Sequence, residues 1–209
     1  MKRKYPRTAH VPWSPGATSD DRIHKNIDFF NGKEIVISEK LDGENTTLMT
    51  DCIHARSLDS ADHSTRHWVK GLWGAIRHEI PTDWKICGEN LYATHSLHYK
   101  NLSSYFMVFS IWDESDTCLS WDDTVTFCDF LRLDTVPVLW RGIYNEDFIK
   151  DFKVNEEIQE GFVIRLTSSF PFDEFEQSVA KYVRSNHISS PDSHWMYKKI
   201  ITNELKPLK

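Results

Sequence analysis

The chain has little with which to staple itself together. Its four cysteines, Cys52, Cys87, Cys118 and Cys128, are scattered with neither a C-x-x-C pair nor Cys/His pairing at zinc spacing. That pattern argues against a zinc site or a disulfide framework, and buried free thiols in a reducing compartment are the expectation. Histidines are frequent, yet there is no H-E-x-x-H and no Cys/His quartet, so His95, His98, His187 and His194 are read as hydrogen-bonding groups and not as metal ligands. No apolar run reaches the length of a membrane span, and no leader of secretory pattern is present, so an intracellular, cytoplasmic protein without a membrane partner is expected. A basic excess is also missing. The formal net charge of −6 argues against indiscriminate binding to polyanions.

What is present suffices for a core. With 209 residues, 40% of them hydrophobic, the chain can bury a core without covalent clips. A single domain over 1–209 is expected, with 1–22 as an extended arm, 185–209 as a short tail, and no internal repeat. The arm is rich in Pro, Ser, Thr and Asp without periodicity, and Trp13 would pin it to the domain. Short strands are predicted within 34–55, broken at Asp42-Gly43 and near Asp51, with further strands over 84–92, 105–112, 136–140, 161–166 and 179–184. Val69, Leu72, Trp73, Ile76 and Ile80 recur at helical intervals before Pro81, and Asp62 or Ser64 can start that helix. Ser120 with Asp123 resembles a capping box for a helix through Leu133, and a short helix fits 145–152. The sum is a sheet-dominated α+β domain with a pocket between sheets.

The most informative segment is Ser38-Glu39-Lys40-Leu41-Asp42-Gly43-Glu44-Asn45, which contains a K-x-D-G-x-N hexapeptide after the apolar run Glu34-Ile35-Val36-Ile37. A lysine amine becomes a nucleophile only when cationic neighbours or desolvation depress its pKa, so such a lysine belongs at a strand end opening onto a pocket. Gly43 would allow a tight turn and close backbone approach to a phosphate, and Asp42 and Asn45 place one charged and one neutral polar group beside the amine. Alone, the hexapeptide is equally a β-turn, since Asp-Gly is a common turn dipeptide.

Order along the chain adds to it. Downstream stand Ala55-Arg56-Ser57, Cys87-Gly88-Glu89-Asn90-Leu91-Tyr92, Tyr105-Phe106-Met107-Val108-Phe109-Ser110-Ile111, Glu160-Gly161-Phe162-Val163-Ile164 and Val179-Ala180-Lys181-Tyr182-Val183-Arg184. The series resembles, in the same order, the ordered elements of the covalent nucleotidyltransferase superfamily of polynucleotide ligases and capping enzymes. Glu39 before Lys40 and the Gly-Glu-Asn-Leu-Tyr strand resemble ATP-dependent RNA ligases in particular. The segments Pro6–Gly16, Arg184-Ser185-Asn186-His187 and His194-Trp195 are similar to one branch of these.

The resemblance implies a nucleotidyltransferase domain of antiparallel sheets with flanking helices and an ATP pocket between the sheets. It implies an ATP-dependent ligase joining 5′-phosphate and 3′-hydroxyl RNA ends through a lysyl-AMP on Lys40, with Mg²⁺ or Mn²⁺, on nicked or bridged duplex and in RNA repair. Glu89 and Glu160 would hold the metal through water, Lys181 would contact the α-phosphate, and Arg56 would hold ribose or phosphate. Phe109, or else Phe106, would stack on adenine, and Glu39 would accept from its exocyclic amine; Asp42, Gly43 and Asn45 complete the nucleotide site. Lys2, Arg3, Lys4, Arg7 and Arg184 are candidate RNA contacts. Two positions depart from the pattern. The K-x-K common in the last strand is Lys181-Tyr182-Val183, with Arg184 as a candidate substitute, and Ser110 stands where aspartate is common. The residues after Arg184 are too few for an appended oligonucleotide-binding barrel, so a partner in a repair complex is a candidate source of substrate grip. A DNA ligase core, a capping guanylyltransferase and a non-ligating subunit that binds nucleotide or RNA ends are the competing readings.

Overall fold

The computed structural model describes residues 2–59, 62–185 and 200–207. The strands are β1 (Ala9–His10), β2 (Glu34–Lys40), β3 (Glu44–Leu48), β4 (Ile53–Ala55), β5 (Lys85–Asn90), β6 (Phe106–Trp112), β7 (Thr117–Cys118), β8 (Asp134–Thr135), β9 (Val138–Ile143), β10 (Gly161–Leu166), β11 (Phe170–Pro171) and β12 (Val179–Val183). Three α-helices punctuate them: α1 (His67–Ile76), α2 (Trp121–Leu131) and α3 (Glu146–Asp151). One sheet runs β1-β12-β10-β2-β9, the other β11-β7-β6-β5-β3-β4 with β8 beside β6. Pairing is antiparallel as expected except at two short additions, β1 on β12 and β8 on β6, which are parallel.

The centre of the first sheet is β2 between β10 and β9. Ile35, Val36 and Ile37 are all buried, the mark of a strand covered on both faces, and Ile164 opposite Ile37 is buried too. One apolar cluster joins Ile35, Ile37, Phe162 and Ile164 to Cys87 and Trp112 across the gap between sheets. A second packs Val69 of α1 and Cys128 and Leu131 of α2 onto Leu48, Ile86, Phe106 and Ile111 of the second sheet. Cys87, Cys118 and Cys128 are buried free thiols, whereas Cys52 is half-buried.

Several boundaries differ from the sequence expectation for identifiable reasons. The single helix expected before Pro81 is three pieces, a 3₁₀ turn at Ser64–Arg66, α1, and another 3₁₀ turn at Arg77–Glu79. Gly71 and Gly74 weaken α1, and its first turn carries no acidic residue. For α2 the capping box forms: Ser120 Oγ accepts from the Asp123 N–H at 3.1 Å and donates to Asp123 Oδ2 at 2.6 Å. It ends at Leu131, before Leu133, because Arg132 adopts the left-handed conformation (φ 56°) and turns the chain inward. The strand expected over 136–140 begins at Val138, since Pro137 offers no N–H and the register of β2 on β9 shifts between Ile37 and Ser38.

The two ends of the chain depart most. The arm is not wholly irregular: β1 pairs with β12, His10 opposite Lys181, and Ala9, His10 and Val11 are buried. Trp13 packs against the core, with Lys150 Nζ 5.4 Å above its ring. Near the C-terminus, residues 200–207 run along the domain. Thr202 bridges Ala93, Leu205 bridges Leu102, and Asn203, 1% exposed, bonds Leu91, Ala93, Thr94 and Tyr99.

Candidate active site

A cavity of about 570 Å³ opens between the two sheets. The first sheet lines it with Glu39, Lys40, Val163 and Lys181, the second with Asn45, Glu89 and Phe109, and Arg56 follows β4 at the rim. Strand geometry accounts for this. Lys40 is the last residue of β2 and stands opposite Gly161, which places it beside Glu160 at the start of β10. Any Cβ on Gly161 would lie 2.0 Å from the Tyr182 carbonyl oxygen, so only glycine permits β10 and β12 to close here.

At the centre, Lys40 Nζ donates to Glu160 Oε2 at 2.5 Å, with Glu160 5% and the Lys40 side chain 24% exposed. Burial alone would lower the Lys40 pKa, but Glu160, then Glu89 and Asp42, outweigh it and raise the value above the ordinary lysine range. Beside Glu160, Lys40 is therefore held as an ammonium, contrary to the depressed pKa expected of a ready nucleophile. Glu89 is pushed up to about 8, chiefly by burial and further by Glu160 and Asp42, against the pull of Lys40. Its Oε1 accepts from the Gly43 N–H at 3.1 Å.

These carboxylates fit a hard divalent cation. Burial and repulsion from Glu160 and Asp42 penalise charge on Glu89, which a cation would relieve, and both side chains offer oxygen donors. Among the described residues no three His, Cys, Asp or Glu groups could hold a metal alone. An ion bound through Glu89 and Glu160 would thus take most ligands from water and phosphate.

Lys181, on β12, reaches the cavity from the side. Burial lowers its pKa, and Lys40 lowers it further against the pull of Asp21, 3.5 Å away. Phe109 is half-buried in the cavity wall, while Phe106 is wholly buried under β5, so only Phe109 is placed to meet a ligand. Glu39 also lines the cavity; burial raises its carboxyl pKa, opposed by a hydrogen bond from Gln159. Asn45 presents a buried amide oxygen with no hydrogen-bond partner among the described residues.

Three of the residues assigned from the sequence are engaged by other parts of the fold. Asp42 is not a cavity residue: its Oδ2 accepts from Ser96 N–H at 2.7 Å, Ser96 Oγ at 2.6 Å and Leu97 N–H at 3.1 Å, anchoring the loop after β5. Gly43 lines the cavity, but the close approach that requires glycine is to β5, where a Cβ would lie 2.5 Å from the Asn90 carbonyl oxygen. Arg3 is not free for RNA, since it pairs with Asp116 at 2.6 Å and lies 3.3 Å over the Phe172 ring. Of the other basic candidates, Lys2, Lys4 and Arg7 are exposed and Arg184 is half-buried. Asn186, His187, His194 and Trp195 lie outside the described residues.

Sequence reasoning missed the arm's share of the cavity. Tyr5, Pro6 and Thr8 line it, and the Tyr5 ring packs edge-on against Phe109 with centroids 5.1 Å apart. It also missed Arg165, 4% exposed on β10, which donates to the carbonyls of Leu166, Phe109 and Leu119 and so ties the sheets together beneath the cavity. The Pro-rich arm carried no periodicity to reveal Tyr5, and Arg165 reads as one more polar residue of an alternating strand.

The RNA ligase family model matches residues 33–183, most of the chain and all the strands that carry the candidate catalytic groups. The chain belongs to the RNA ligase family. A search of curated proteins by sequence finds no match. Among solved structures, an archaeal ATP-dependent RNA ligase superposes with a TM-score of 0.58 at 18% identity, over 88% of this chain and 49% of that one. A Naegleria gruberi RNA ligase variant with ATP and Mn gives a TM-score of 0.52 at 16% identity, covering 76% of this chain and 52% of that one. An Aquifex aeolicus protein provisionally described as an ATP-dependent DNA ligase gives 0.57 at 20% identity, covering 87% and 50%. At these identities the likeness shows a shared α+β fold. This family member spans about half the length of each of the three structures.

Proposed function

We propose that this chain is the nucleotidyltransferase domain of an ATP-dependent RNA ligase, and that Lys40 is the residue that becomes adenylylated. The observation that carries the reading is Lys40, which lines an inter-sheet cavity together with Glu89, Phe109, Asn45 and Lys181 and pairs with Glu160 just behind the lining. Lys40 Nζ, having lost a proton to solvent, would attack the α-phosphorus of ATP, forming the N–P bond as the P–O bond to pyrophosphate breaks, pyrophosphate leaves with the electron pair and the nitrogen sheds its second proton to solvent. The AMP would then pass to a 5′-phosphate RNA end, and a 3′-hydroxyl would displace it.

Each step transfers a phosphoryl group, so positioning and charge neutralisation do most of the catalysis. A bound Mg²⁺ or Mn²⁺ supplies charge neutralisation on the phosphates. Glu89 and Glu160 would hold it, and in doing so Glu160 would release Lys40 from the ion pair that keeps it protonated. Lys181 would face the α-phosphate, where its charge gains strength as negative charge develops. Phe109, backed by Tyr5, would stack on adenine, Glu39 would accept from the exocyclic amine and so favour ATP over GTP, and the free Asn45 oxygen would accept from a ribose hydroxyl. Arg56 at the rim would hold ribose or phosphate.

The substrate would be RNA ends brought together by a nick or bridge, inside the cell, with a repair-complex partner contributing grip. No helix among the described residues is long and apolar enough to cross a membrane. Intact mass spectrometry after incubation with Mg²⁺ and either ATP or GTP tests the reading. An AMP adduct on Lys40 with ATP alone is expected; a GMP adduct would turn the reading to a capping enzyme, and no adduct with either would turn it to a non-ligating binding subunit.

A further inference from the structure

The chemistry outside the cavity is concentrated on the N-terminal arm, where a buried polar chain runs to Lys181. Val183 of β12 donates its N–H to Ser14 Oγ at 2.9 Å. Ser14 Oγ lies 2.8 Å from His10 Nδ1, and both residues are buried. His10 Nε2 is 3.5 Å from Asp21 Oδ1, and the same oxygen is 3.5 Å from Lys181 Nζ. The other Asp21 oxygen accepts from the Thr18 N–H at 3.1 Å and from Thr18 Oγ1 at 2.9 Å. Burial works against charge on Asp21, but the Thr18 bonds, Lys181 and His10 overcome it and bring the carboxyl down to about 2.

Asp21 is not among the residues lining the cavity, whereas Lys181 is. Its carboxylate therefore meets the ammonium from the arm, and at 3.5 Å the contact is a loose ion pair that leaves Lys181 donors for a ligand. The arm also occupies the place where a second lysine of the last strand would face. Val183 points to the same side as Lys181, is 2% exposed, and has both its backbone groups engaged by the arm, the N–H by Ser14 and the carbonyl by the Gly16 N–H at 3.0 Å. A Cβ on Gly16 would lie 2.3 Å from the Arg184 carbonyl oxygen, so arm and strand are in direct backbone contact.

We propose that Asp21 is a positioning residue for Lys181: held by its two hydrogen bonds from Thr18, with His10 Nε2 3.5 Å from its other oxygen, it fixes the single lysine of the last strand toward the cavity. The inference rests on the adenylyltransfer reading above. A carboxylate that aims a charge used in the transition state affects the rate of the chemical step more than the affinity for ATP.

Single-turnover rapid quench of Lys40–AMP formation from ATP and Mg²⁺ tests this in wild type, Asp21→Asn, Asp21→Glu and Thr18→Val, with melting temperatures recorded in parallel. Expected is a fall of about tenfold in the saturating rate for Asp21→Asn, with the half-saturating ATP concentration changed less than about threefold. Asp21→Glu should recover part of the rate, and Thr18→Val, which keeps the carboxylate but loosens it, should fall between. A wild-type saturating rate in Asp21→Asn overturns the assignment. So does an equal loss in Asp21→Asn and Asp21→Glu that tracks the loss of folded protein. Absence of any adduct in wild type overturns the adenylyltransfer reading itself, and this inference with it.

Discussion

Lys40 has two duties that one substitution confuses and another separates. It is the proposed nucleophile, and it is also the cation placed between Glu160, Glu89 and Asp42. Lys40→Arg keeps a permanent positive charge but supplies no usable amine, so the adduct should vanish while the urea midpoint stays near wild type. Lys40→Ala should also lose the adduct, and in addition cost about 1–3 kcal/mol, because Glu160 is then left buried without its partner. An AMP adduct on either variant, found by peptide mapping, would falsify the assignment. Asp21 makes a residue-scale prediction in pH. Its folded pKa is depressed from 3.8 to about 2, so its contribution to stability is present above the unfolded value and is lost as pH falls through the folded one. The melting temperature of wild type should therefore fall more steeply between pH 4 and pH 2 than that of Asp21→Asn; parallel curves would mean that the carboxylate gains nothing on folding.

Elements hold the site together through contacts that sequence patterns do not announce. The loop after β5 anchors Asp42 through Ser96 and Leu97, and the same loop is clamped from behind by Asn203. Asn203→Ala would strand the Leu91 carbonyl and the Tyr99 N–H, at a cost of about 2–4 kcal/mol. Equilibrium urea unfolding should show that loss, and the adenylation rate should drop as well because Asp42 flanks the nucleophile. What could be read beforehand were the elements with internal signals. The apolar run Ile35-Val36-Ile37 marked a strand, Ser120 with Asp123 marked a cap, and the ordered elements carry Lys40, Glu89 and Lys181, which line one cavity, with Glu160 paired to Lys40. The Asp42 and Asn203 contacts were not legible, because a turn aspartate and an isolated tail asparagine have no periodicity. Their roles arise only from tertiary pairing of segments more than fifty residues apart.

On the scale of the molecule, an acidic chain that takes RNA ends as proposed would have to hold them by local charge. Lys2, Lys4 and Arg7 are exposed on the arm, but Arg3 and Tyr5 between them are structural. Deleting 1–7 should therefore impair adenylation as well as joining, since it removes the ring that backs Phe109. The triple replacement of Lys2, Lys4 and Arg7 by Gln is the cleaner test: RNA joining should weaken and lose part of its salt dependence, while Lys40 adenylation is unchanged. Joining at the wild-type level across a salt series would place the RNA grip elsewhere.

The pairing of β1 with β12 also sets a timetable. Tyr5 at one end and Lys181 at the other face the same cavity, and β2, which carries Lys40, lies between β9 and β10 from the second half of the chain. A ribosome exposing only the first half presents Lys40 on a strand with neither neighbour, so the inter-sheet cavity cannot exist on a short nascent chain. Such long-range strand pairing folds slowly and late. The proposed adenylylation would thus be silent during synthesis, since the cavity closes only after β12 has been released to complete the sheet.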